Sequence, residues 1–226
     1  MSPFIEKDGK HRKLEGWPFM FTLLTTIAIL VGGTVEFLPL VLVESNVPRI
    51  ETVLPYTPLE LAGRDIYIRE GCVGCHSQQV RPFRDEIERY GEYSKPGEHV
   101  YDHPFLWGSK RTGPDLHRVG GKYPDLWHVR HMENPRSTSP QSLMPPYDWL
   151  LKDNLDYEDI PARLRALRKV GVPYTDDDIA SAVPDARSQA SGIAEGVAAA
   201  GGPENLDDKE IVALVAYLQR LGTDIN

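Results

Sequence analysis

The chain has 226 residues, with 25 Lys and Arg against 33 Asp and Glu, a formal net charge of −8. Nucleic-acid binding needs a basic face to neutralise phosphates, and no stretch of this sequence supplies one. Hydrophobic residues at 41% and charged residues at 26% describe a chain that folds, and its 2 Cys point to one local site rather than a disulfide framework.

Between residues 17 and 43 the only ionisable side chain is Glu36, and the run exceeds the roughly 20 residues that cross a bilayer as helix. It predicts an uncleaved transmembrane helix, because a signal peptide wants a shorter apolar stretch and a small-residue cleavage site. Lys7, Lys10, Arg12 and Lys13 precede it and only Arg49 closely follows. By the positive-inside rule residues 1–16 are then cytoplasmic, and the chain after about residue 47 is exported. Glu36 falls about 30 Å along the axis from Trp17, near the outer interface, where a headgroup-level or subunit-paired acid is favoured over a proton relay. Gly32 and Gly33 bare the helix surface for the approach of another helix.

Residues 44–57, with Pro48 and Pro55, read as a linker. Thr57-Pro58-Leu59-Glu60 carries a capping-box pattern with Pro at the first helical position, and Leu59, Ala62, Gly63, Ile66 and Tyr67 recur at helical spacing until Gly71. This helix leads directly into Cys72-Val73-Gly74-Cys75-His76, the attachment signature of c-type haem. The two thiols add to the porphyrin vinyl groups, and the adjacent His76 becomes an axial ligand of the iron. A zinc ribbon would need a second ligand pair and a thioredoxin-type centre a βαβ context, and the sequence offers neither.

The sixth iron ligand separates electron transfer from ligand binding. Met1 and Met20 precede or lie in the span, which leaves Met132 and Met144. Met132 sits in the helical stretch with Trp127, His128 and His131, where a Met is more often core filling. Met144 precedes Pro145 and Pro146, whose stiff extended backbone can hold a thioether at fixed reach. Met144 is therefore favoured, with a histidine as the alternative. Thr112-Gly113-Pro114-Asp115-Leu116 supplies a Pro114 carbonyl able to accept the Nδ1 hydrogen of His76. Near the end, Asp207 and Glu210 are expected to cap a helix with Ile211, Leu214, Val215, Leu218 and Leu221 on one face, and Tyr217 to lie against Gly63.

The helix into CVGCHSQQVRPFR, followed by ERYGEY, VYDHPFLWGSKRTGPDL, RVGGKYPDLW, NPRS and LMPPY, resembles the mono-haem subunit II of cbb3-type cytochrome c oxidase, the CcoO/FixO family. The similarity runs from the anchor to about Ala180 and resumes in the last helix. It implies a mainly α chain: one transmembrane helix carrying a class I cytochrome c domain over residues 58–226, on the outer face of a bacterial inner membrane. It implies one covalent haem c on Cys72 and Cys75, with His76 and Met144 as axial ligands.

Residues 77–112 form a long insertion after the attachment motif. Arg81, Arg84, Arg89, Trp107, Lys110 and Arg111 make it basic and aromatic, a composition enriched at protein interfaces. The resemblance implies that it packs on the haem-copper catalytic subunit, with Ser109 near a structural calcium at that junction. It also implies a further c-type cytochrome subunit or soluble cytochrome c as donor. Residues 181–206, rich in Ala, Gly, Ser and Pro, read as a flexible surface loop. The expected function is a one-electron relay to an oxygen-reducing partner, with no oxygen chemistry in the chain itself. A nitric oxide reductase relay and a ligand-binding haem sensor are disfavoured by SKRTGPDL and by Met144.

Overall fold

The computed structural model describes residues 14–43 and 48–225. The basic flank of Lys7, Lys10, Arg12 and Lys13, which carried the orientation argument, lies outside the described residues. The chain divides into two units, residues 1–48 and 49–226. In the first, helix α1 (Pro18–Leu42) runs for 25 residues, starts on Pro18 at its first turn and contains Pro39 near its end. It is long and apolar enough to cross a membrane. Its apolar side chains, Phe19, Ile29 and Val35 among them, are exposed rather than gathered into a core.

In the second unit the described residues form helices and short 3-10 turns, with one isolated bridge between Asn154 and Lys209. Helix α2 (Pro58–Arg69) begins on the expected capping box: Glu60 N–H donates to Thr57 Oγ1 at 3.4 Å and Thr57 N–H donates to Glu60 Oε2 at 2.8 Å. It stops at Gly71, whose φ of 71° a side chain would resist. Five further helices precede the last two: α3 (Arg84–Tyr90), α4 (Asp125–Glu133), α5 (Pro135–Thr138), α6 (Ile160–Lys169) and α7 (Asp176–Ala180).

The core is the crossing of α2 with the last helix, α9 (Glu210–Arg220). Leu59, Leu61, Ile66 and Tyr67 meet Ile211, Leu214, Val215 and Leu218, all nearly inaccessible to water. Gly63 makes this approach feasible, since a Cβ there would lie 1.9 Å from the Ala213 carbonyl oxygen and 2.8 Å from Tyr217 Cβ. Tyr217 thus does lie against Gly63. Its ring packs on Tyr67 at 5.5 Å and on Tyr56 at 5.7 Å, and its hydroxyl meets the Gln78 side chain at 2.8 Å. The expected cap on α9 differs. Lys209 occupies the cap position without a side-chain bond, and Glu210 N–H donates to the Asp153 carbonyl at 3.1 Å. Asp207 instead receives the Tyr157 hydroxyl on its carbonyl.

The larger correction concerns residues 181–206. They are no flexible loop: helix α8 (Ala182–Ala199) fills 18 of them. Ala182, Ala186 and Ala190 are fully buried, with Ala194 and Val197 continuing the stripe. The composition resembled a linker, yet Ala is the best helix former, and a stripe of small side chains one turn apart lets a helix sit close to α2 and α9. Gly201, at φ 82°, ends it.

Candidate functional site

Helix α2 delivers the chain through Gly71 into a 3-10 turn, Cys72–Gly74. Both thiols are free, Cys75 exposed and Cys72 half-buried. Burial, reinforced by the charge of Glu70, pushes the Cys72 thiol up to about 12. The turn is closed by Cys75 and His76 N–H groups donating to the Cys72 carbonyl at 3.1 and 2.9 Å.

A strap made of residues 106–116 runs beside this turn. Gln78 N–H donates to the Leu106 carbonyl at 3.3 Å, Gly113 N–H to Cys75 at 3.0 Å and Leu116 N–H to Ser77 at 2.9 Å. The strap brings the Pro114 carbonyl to 2.8 Å from His76 Nδ1. A carbonyl only accepts, so Nδ1 carries the proton and Nε2 keeps its lone pair for a metal. Burial lowers the basicity of His76, opposed by the Pro114 bond and the charge of Asp115, so the ring is neutral near pH 7. Gly113 lies against the imidazole, where a Cβ would come within 2.3 Å of Cε1. Asp115 anchors the strap by accepting from Gln79 N–H and His117 N–H, each at 2.9 Å.

Met132 and Met144 part company. Met132 is buried in the core, whereas Met144 is half-buried at its edge. Met144 N–H donates to Ser142 Oγ at 3.2 Å, and three residues on Tyr147 N–H donates to the Met132 carbonyl at 2.7 Å, which ties the loop to α4. Burial raises the Tyr147 phenol, with the charges of Cys72 and Cys75 adding to it, and Cys72, Met144 and Tyr147 all pack against the core.

The expected interface residues do not gather into one free basic face. Arg111 pairs with Glu86 at 2.8 Å, donates to the Gln79 carbonyl at 2.7 Å and lies over the Tyr90 ring at 5.5 Å. Arg81 reaches the same Glu86 at 3.4 Å and the carbonyl of exposed Ser109 at 3.3 Å. The two arginines hold Glu86 below the usual carboxylate range despite its desolvation. Trp107 packs on Phe105 at 5.2 Å and His99 at 5.5 Å, and its Nε1 is buried without a partner. Arg84, Arg89 and Lys110 are exposed, the Arg84 side chain at 91% and bonded to Glu88. Among the described residues no three His, Cys, Asp or Glu side chains cluster to hold a metal ion.

The insertion also builds a buried polar cluster that the sequence did not disclose. Asp102 accepts from Arg64 Nε at 3.0 Å, from the Tyr56 hydroxyl at 3.0 Å and from His99 Nδ1 at 2.8 Å. Beside it His117 contacts Ser94 Oγ, and Glu98 pairs with Arg118. Its partners are 38 or more residues apart for Arg64 and Tyr56, a separation with no local signature.

A comparison with curated proteins finds no match. A family model described as cytochrome c oxidase, mono-haem subunit/FixO, matches residues 11–225. The match spans nearly the whole chain, which therefore belongs to the FixO family of mono-haem cytochrome c oxidase subunits.

Proposed function

We propose that the chain is the electron-relay subunit of a cbb3-type oxidase, passing single electrons through one covalent haem c to a haem-copper catalytic subunit that reduces oxygen to water. The observation that carries the reading is the His76 imidazole, held by Pro114 with Nε2 free, beside two unbridged thiols on one turn. The residues suit a haem: Gly113 leaves room at the ring that a side chain would fill, and Met144 and Cys72 are both half-buried against the same core.

Cys72 and Cys75 would hold the porphyrin by thioether bonds, and His76 and Met144 would take the two axial positions. When bound, the haem supplies reversible one-electron chemistry. The Pro114 carbonyl fixes the tautomer and plane of His76. A Met144 thioether on the iron would leave no open coordination site and would raise the potential, which favours electron transfer. Oxygen reduction then belongs to the partner. A single-pass α1 would place this domain at the periplasmic face of the inner membrane, with electrons arriving from a further c-type cytochrome. Arg84, Arg89 and Lys110 are the exposed cations of the insertion that could meet a partner, and a calcium at Ser109 would need ligands from the partner subunit.

The test is purification of the native membrane complex, with assays of oxygen and nitric oxide consumption and near-infrared spectroscopy of the oxidised chain. Oxygen uptake, no nitric oxide uptake and a methionine-to-iron charge-transfer band that Met144→His abolishes are expected. Nitric oxide consumption without oxygen uptake would overturn the assignment.

A further inference from the structure

Asp115 is the one acid of the strap, and its side chain is fully buried. It follows Pro114, whose carbonyl lies 2.8 Å from His76 Nδ1. Gly113 N–H donates to the Cys75 carbonyl at 3.0 Å and Leu116 N–H to the Ser77 carbonyl at 2.9 Å, so backbone bonds bracket Pro114 as they bracket His76. Asp115 adds the bond that runs the other way. Its Oδ2 accepts from Gln79 N–H at 2.9 Å, a group whose nitrogen also lies 3.0 Å from Ser77 Oγ. Its Oδ1 accepts from His117 N–H at 2.9 Å, and Arg111 stands 3.6 Å away. Two N–H donors aimed at one side chain require two acceptor oxygens, whereas an amide would turn its own NH2 toward one of them. The position therefore calls for a carboxylate. A buried charge is a weak source of stability, so stability alone does not account for one here.

We propose that Asp115 is a positioning residue for the axial imidazole, which holds Pro114 against His76 and thereby keeps the haem potential below the value it would otherwise take. This rests on the reading of His76 as a haem ligand. A bond from Nδ1–H to the Pro114 carbonyl makes Nε2 a stronger donor, and a stronger donor favours the ferric iron. Loosening Pro114 weakens that donor and raises the potential. Removing a negative charge near the iron raises it as well, so position and charge must be varied separately.

The experiment uses the full-length haem-loaded chain and reads two quantities: the midpoint potential by redox titration, and the solvent exchange of the His76 Nδ1 proton by NMR of nitrogen-15-labelled protein. Asp115→Glu keeps the charge but moves the carboxylate by one methylene. It should raise the potential and speed the exchange by about tenfold, the worth of one hydrogen bond to a charged group. Asp115→Asn, which also loses the charge, should raise the potential further. Asp177→Asn, the same charge change at an exposed site, should leave both quantities as they were. An Asp115→Glu chain with wild-type potential and exchange, or an Asp115→Asn chain whose potential moves while exchange does not, overturns the proposal. Should the Asp115 variants fail to take up haem, Arg111→Gln decides, because Arg111 donates to the Gln79 carbonyl at 2.7 Å. Loss of a cation by itself lowers the potential, whereas loosening Gln79 beneath Asp115 raises it and speeds the exchange. A potential at or below the wild-type value refutes the role. A wild-type chain that takes up no haem would refute the relay reading itself, whereas a loaded wild type with unresponsive variants refutes the role of Asp115 alone.

Discussion

Replacing Gly63 by Ala isolates the contact on which the core is built. In an unconstrained helix this change stabilises by about 1 kcal/mol, because Ala loses less backbone entropy. Here the new Cβ would sit 1.9 Å from the Ala213 carbonyl oxygen and 2.5 Å from its carbon, where ordinary contact begins at 3.4 Å. The obstacle is backbone, so no side-chain rotation relieves it. Helix α9 must retreat by roughly 1.5 Å, and a radial gap of even 0.5–1 Å forfeits a quarter to a half of each dispersion contact across the crossing. With Leu59, Tyr67, Leu214 and Tyr217 all buried on that crossing, a net loss of about 3 kcal/mol follows, at the upper end of core overpacking. Exposed Gly192 and Gly196 of α8 are the controls, since a Cβ at either meets nothing within 4 Å and should stabilise by about 0.5–1 kcal/mol. Urea unfolding of the detergent-solubilised chain, followed by circular dichroism, measures all three. A Gly63→Ala midpoint equal to wild type would show that the close crossing is not what holds the two helices.

Asp102→Ala removes the counter-ion of Arg64, a residue 3% exposed, and should cost about 3–5 kcal/mol because it strands a buried cation, as the same unfolding assay would read. Burial pushes His117 down to about 2 and His128 to about 4 from an ordinary 6.5, so both are neutral when folded and take protons when unfolded. The unfolded state therefore binds more protons below pH 6.5. Their contribution to stability is full above pH 6.5 and falls between pH 6.5 and 5 by up to about 1.4 kcal/mol per pH unit for each histidine. His117→Gln should flatten that slope, and a slope unchanged by the substitution would refute the assignment. Arg84→Glu, at a side chain 91% exposed, should leave stability within about 0.5 kcal/mol while weakening co-purification with the catalytic subunit. Arg111→Glu should instead destabilise the chain itself, because it faces Glu86 and Asp115 at 2.8 and 3.6 Å.

What could be read in the sequence is what short-range chemistry determines. The capping box at Thr57, the stop at Gly71 and the CxxCH turn each need only neighbours within four residues, and all three stand where their residue types put them. The pairing of Gly63 with Tyr217 spans the chain but was still legible, because a glycine on an apolar helix face admits few explanations. Residues 181–206 failed for the opposite reason. Ala, Gly and Ser mark a linker by composition and a close-packed helix by period, and only the four-residue recurrence from Ala182 to Ala194 separates the two.

The insertion shows where charge alone misleads. Two of its arginines looked like docking residues, yet one acid answers both: Glu86 pairs with Arg81 and with Arg111. An unpaired cation on the surface costs nothing and remains free for a partner, whereas one that is largely buried must find an anion within the chain. Arg111 and Arg118 have side chains only 18% and 9% exposed, so their charge is committed to the fold before any partner arrives. The same segment supplies the strap that sets Pro114 against His76, and the ion pairs hold that strap's flanks at Asp115 and Gln79. The insertion's first task is therefore to help fix the His76 imidazole. The cations of the insertion left at the surface are fewer than the run of basic residues suggests: Arg84, Arg89 and Lys110 are exposed, whereas Arg111 is not.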